Sequence, residues 1–89
     1  MCSIKKANKV AEIVKKAAND WHGDNRHFDR RFESLFEEGD GEQVVIEFMK
    51  LYYEDNKLQK AAEITNHYLN IESWKKVYLV WRNKNPTLF

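Results

Sequence analysis

Apolar residues return at three- and four-residue steps along most of this chain, and each stretch of that rhythm is closed by Gly, Asp, Asn or Pro. Positions spaced in this way fall on one stripe of an α-helix, whereas a half-buried strand needs strict alternation. The first stretch is the longest. Ile4, Ala7, Val10, Ala11, Val14, Ala17, Ala18 and Trp21 share a stripe with the lysines largely opposite, after a Ser3 suited to cap a helix. Gly23 is a natural stop, because glycine accepts the left-handed conformation at a helix end.

The same reading continues down the chain. Asp24 or Asn25 caps a second helix over about residues 26–38, whose face is Phe28, Phe32, Leu35 and Phe36, and Gly39 ends it. Asp40 stands three residues before Gln43, the spacing of a reciprocal capping box, and opens a third helix from about Gly41 to Tyr53. The run Val44-Val45-Ile46 alone would suit a strand. The capping pattern and the continued three-four spacing favour helix.

Asp55 or Asn56 starts a fourth helix through Leu58, Ala61, Ala62 and Tyr68, and the asparagines at 66 and 70 predict a break. A last helix runs from about Ile71 to Arg82, and Pro86 discourages its extension into a loose tail over 84–89. Four to five short helices in 89 residues predict an all-α fold, a compact and partly orthogonal bundle forming one domain over residues 1–89. Such a chain buries roughly 60–65% of the surface it exposes when unfolded, so modest stability is expected.

Composition narrows the setting. Cys2 is the one cysteine, so no internal disulfide forms, and a lone thiol suits a reducing, cytoplasmic compartment. No apolar run approaches the ~18–20 residues of a membrane span, and none follows the early lysines as in a signal peptide. Net charge is only +1, but it is segregated. Residues 1–20 carry +3, residues 34–56 carry −6 with Lys50 as their one cation, and residues 57–89 carry +4.

Catalytic chemistry finds little footing. Cys2 lies where chains fray, Ser34 and Ser73 fit no nucleophile motif, and Asp40 and Glu42 beside Gly39 and Gly41 would repel a phosphate. The pair His22 and His27 with Asp24 between them spans a predicted turn and lacks further ligands nearby. The expectation is a protein without enzymatic activity, cofactor or metal.

Binding is the better-supported class. Twelve residues are aromatic, more than one side of a small core accommodates. Tyr52 and Tyr53 are about 100° apart around a helix, which puts one of them at the edge. In the last helix Leu79 and Val80 widen the Trp74–Tyr78–Trp81 face until the helix is apolar most of the way round. Tyr53, Trp74, Tyr78, Leu79 and Trp81 are therefore candidates for contact with a partner or a second copy. Glu37, Glu38, Asp40 and Glu42, gathered at one predicted junction, form a candidate acidic patch for a basic partner.

A second reading rests on residues 58–82. Gln59 to Ile64, a break at Asn66–Asn70, then Ile71 to Lys76 loosely resembles a helix-turn-helix, which would aim Ser73, Lys75 and Lys76 at DNA. The turn lacks the usual glycine, the apolar register is about one residue out, and the basic excess is modest. The preferred expectation is a small protein-binding module that engages a larger protein. In general character the chain resembles compact, Lys- and Asn-rich inhibitors encoded by phages.

Overall fold

The computed structural model describes residues 3–21 and 27–84. Six helical segments follow in order: α1 (Ser3–Asn19), α2 (Arg30–Ser34), α3 (Gly41–Glu54), α4 (Asn56–Ile64), α5 (Asn66–Leu69) and α6 (Ile71–Lys84). No strand occurs among the described residues, and the fold is an all-α bundle. Gly23, Asp24, Asn25, Pro86 and the tail beyond Lys84 lie outside the described residues.

The central layer is α1 packed on α3 and α4. Ala7, Val10, Ala11, Val14 and Ala17 are the buried side of α1. Small side chains at three-four spacing let two helices lie close along that face. They meet a core that includes Val44, Ile46, Phe48 and Met49 of α3 and Leu58, Ala61 and Ala62 of α4. Burying a side chain such as Phe48 or Leu58 contributes about 1.5–3 kcal/mol. Ile4 departs from the predicted stripe and is exposed, whereas Lys6 is buried.

Helix ends follow local chemistry. Ser3 is already helical and does not cap α1, which stops at Asn19 rather than Trp21. Asp29 caps α2 by accepting from the Arg31 amide at 3.0 Å, so that helix starts later than predicted. It also ends earlier. From Leu35 to Glu37 each amide donates to the carbonyl three residues back, and this tighter ladder turns the chain toward Asp40. Gly39 completes the turn at a φ of 85°.

The predicted capping box does not form. Asp40 makes no side-chain bond to the start of α3, because its carboxylate is taken by Lys6, and Gln43 donates to Glu47 instead. Asp55 does cap α4, accepting from Lys57 and Leu58. The predicted break becomes two corners. Thr65, buried, returns its hydroxyl to the Ala61 carbonyl at 2.9 Å, and Asn70 adopts the left-handed conformation with φ 54°. Between them α5 makes a single turn, and α6 then packs on α3.

The aromatic surplus has a structural use. Eleven rings form one continuous chain of contacts with centroids 4.9–6.5 Å apart. It runs from Trp21 through Tyr68, Phe28, Phe32 and Phe36 to Trp74 and Phe48, then by Tyr52 and Tyr53 to Tyr78 and Trp81. Trp74 meets Phe48, Tyr78 meets Tyr53, and Lys50 lies over Trp81.

Candidate interaction surfaces

The acidic junction is not left to itself. Lys6 reaches across from α1 and donates to both carboxylate oxygens of Asp40 at 3.1 and 3.0 Å. It also pairs with Glu38 at 3.2 Å. The Lys6 side chain is only 10% exposed, and Ser3 adds a donor at 3.5 Å from Asp40. The Asp40 carboxylate bonded to it raises the Lys6 pKa above its usual value. In return the Lys6 ammonium lowers the Asp40 pKa below the ordinary carboxylate value.

Lys50 is the one cation within residues 34–56, and α1 supplies a second from outside that stretch. Two of the junction's four carboxylates, Glu38 and Asp40, share the single positive charge of a residue far away in sequence. Glu37 and Glu42 remain exposed. A signal for Lys6 was present in the sequence, since it stands four residues before Val10 and therefore on the apolar stripe.

The aromatic candidates divide. Tyr78 is buried, and Trp74 and Trp81 pack partly buried against the core. These three form the inner side of α6, held by Phe36, Phe48, Tyr53 and Lys50. Leu79 is 49% exposed and Val80 54%. Tyr53, 45% exposed, leans on Tyr78 at 5.2 Å, next to Leu79 in the chain. Partial burial of its own hydroxyl pushes the Tyr53 pKa up.

The residues of the helix-turn-helix reading are placed as follows. Ser73 and Lys76 are exposed on the outer side of α6. Lys75 is half-buried, with its ammonium 3.5 Å from Glu72 and 6.0 Å from the centre of the Tyr52 ring. Tyr52, then Glu72, raise its pKa. A helix-turn-helix packs its two helices on each other across one short turn. Here α5 intervenes, and the principal partner of α6 is α3.

Comparison with protein-family models, with curated proteins and with solved structures finds no match to this chain. The geometry therefore carries the functional reading. Of the candidate metal cluster, His22 and Asp24 lie outside the described residues, as does Cys2. His27 lies with its Nε2 3.6 Å from an Asp20 carboxylate oxygen. Among the described residues, no group of three or more His, Cys, Asp or Glu is placed to hold a metal ion. No helix there is long and apolar enough to cross a membrane.

Outside the candidates named from sequence, one surface stands out. Where the end of α1 meets α4, Lys15, Lys16, Lys57 and Lys60 border an open trough of about 590 Å³. Ala18, Ala61 and Ile64 form its apolar part. Sequence reading missed it because its lysines come from two helices some forty residues apart. The exposed Ile64, off the buried row of α4, was the available hint.

Proposed function

We propose that this protein is a small, non-enzymatic binding module that acts on a larger protein as an inhibitor or adaptor, contacting it through the outer side of α6. The observation that carries this reading is the side-by-side exposure of Leu79 and Val80. The inner side of α6 is already committed to the aromatic chain, so the core makes no use of these two residues. A single exposed aliphatic residue is ordinary. Two adjacent ones, about half exposed and close to the exposed Tyr53 that rests on Tyr78, make an apolar patch with an aromatic residue at its edge, the kind of surface that marks a binding site. Ser73 and Lys76 on the same side of the helix provide a polar rim.

Leu79→Lys/Val80→Lys tests the reading. Both positions face away from the core, so circular dichroism and thermal unfolding should be nearly unchanged. Affinity capture from the native cell extract, with wild type and the variant side by side, should then lose its main bound protein. For a purified partner the expected loss is about 30-fold or more, as for a central contact of about 2 kcal/mol. Sedimentation equilibrium checks for a second copy as the partner. An identical capture profile from the folded variant would sink the assignment.

A further inference from the structure

We infer that the lysine-bordered trough between α1 and α4 is a second docking site, and that its occupant is an acidic segment of another protein, held by aliphatic side chains on Ile64. Four cations border this trough, and among the described residues no carboxylate lines it. Asp55 occupies Lys15 at one end, with Nζ to Oδ2 at 2.7 Å. Among the described residues, Lys16, Lys57 and Lys60 have no ion-pair partner. Like charges brought together repel one another, and the Asp55 carboxylate offsets only the Lys15 end, so an anionic occupant is favoured by relief of that repulsion as well as by direct attraction.

The floor chooses between anions. Ile64 exposes 49% of its surface there, beside Ala18 and Ala61. A phosphate backbone has no group to place on that apolar strip, whereas leucine or isoleucine does. The trough also has no arginine and no aromatic side chain among its lining residues, so it offers neither a bidentate phosphate fork nor a platform for stacked bases. Residues 57, 60, 61 and 64 form one row along α4, about 10 Å long at helical rise. That matches two turns of a docked amphipathic helix.

The geometry also points away from a second copy of the chain. Of the other exposed aliphatic residues, Leu79 and Val80 have Lys76 as a near neighbour in their helix, and Ile4 has Lys5 beside it and the nearby Asp40 already held by Lys6. Presenting any of them to this trough would bring lysine to lysine. A different chain, with glutamate or aspartate beside its aliphatic residues, fits.

The inference rests on the protein-binding reading for its class of partner but uses a different surface from α6. Its test is fluorescence anisotropy of the full chain with a labelled synthetic helix bearing leucine at i and i+4 flanked by glutamates. Binding is expected, weakening as salt rises, and falling about tenfold or more in Lys16→Glu/Lys60→Glu. A comparable loss is expected in Ile64→Ser, and for a probe whose leucines are replaced by serine. Should Lys16→Glu/Lys60→Glu unfold, Lys16→Gln/Lys60→Gln serves, with a smaller loss expected. Leu79→Lys/Val80→Lys should bind the probe normally, which separates failure at this site from failure of the α6 reading. The inference is overturned if the probe does not bind, if the trough variants bind it unchanged, or if duplex DNA is held more tightly than the probe. Dimerisation of the chain that the probe displaces would likewise overturn it.

Discussion

The ammonium of Lys6 sits between the two carboxylate oxygens of Asp40, 3.1 and 3.0 Å away, and so ties the first turn of α1 to the N-terminus of α3. Because Lys6 is largely covered and Asp40 is partly open to water, the two ends of this tie are not equivalent. Removing the acid leaves a covered ammonium with Glu38 as its remaining partner. Replacing the lysine with an apolar chain of similar length removes the demand altogether. Asp40→Ala should therefore lower the melting temperature more than Lys6→Met does. The double variant should be no worse than Asp40→Ala. Thermal unfolding of the three proteins checks the order, and a larger loss from Lys6→Met would contradict it.

Acid should unfold the protein through the same carboxylates. Lys6 beside Asp40, Arg31 beside Asp29 and Lys15 beside Asp55 hold all three acids below the ordinary carboxylate pKa. A carboxyl whose pKa is lower in the folded state contributes stability above its unfolded pKa and loses it as pH falls through the folded one. The stability lost on acidification should thus begin near pH 4–5 and continue below the unfolded carboxylate value. Asp40→Asn/Asp55→Asn should flatten that acid limb, while asparagine at position 55 still caps α4. An unchanged acid limb in urea titrations across pH would show that these pairs do not stabilise the fold.

Helical periodicity made most of this architecture legible in the sequence, since α3, α4 and α6 begin within two residues of where Asp and Asn punctuate the chain, and α1 ends two residues before the expected Trp21. Position 70 was within reach for the same reason, because asparagine is among the few residues that tolerate a left-handed corner. What escaped were contacts between distant segments. Asp40 obeys the local capping rule in sequence and breaks it in space, because Lys6 competes for its carboxylate. Trp74, Tyr78 and Trp81 read equally well as core or interface until α3 is laid against them. The basic trough exists only once α1 and α4 are side by side.

Two glycines near the acidic turn should respond differently to substitution. A Cβ at Gly41 would lie 2.7 Å from the Phe36 carbonyl oxygen, a backbone atom that cannot swing aside. Gly41→Ala should cost about 1–3 kcal/mol, although alanine is the better helix former. At Gly39 nothing lies within 4 Å, and the cost comes from φ of 85°. Gly39→Ala should cost about 1–2 kcal/mol, and Gly39→Asn less, since asparagine tolerates positive φ. Gly41→Asn should gain no such relief. Urea unfolding of the four variants separates steric from conformational strain, and equal rescue by asparagine at both sites would refute the distinction.

The aromatic chain makes its strongest claim at Trp74. This residue joins Phe36, which leads from α2, to Phe48 in the centre of α3, with ring centroids 5.6 and 5.2 Å away. Phe48 is fully buried, so truncating Trp74 opens the middle of the core rather than its edge. Large-to-small changes among packed aromatics cost roughly 3–5 kcal/mol, and the partial exposure of Trp74 puts Trp74→Ala near the lower end. In a domain whose total stability is about 5–15 kcal/mol, that is a substantial share. Leu79→Ala, one turn further along the outer side of α6, should change stability by about 0.5 kcal/mol or less. If both variants unfold at the same urea midpoint as the wild type, the aromatic chain is not what holds α6 to the bundle. A large loss confined to Trp74→Ala would place the aromatic surplus in the fold, and would leave Leu79 and Val80 as the apolar residues of α6 that the fold does not need.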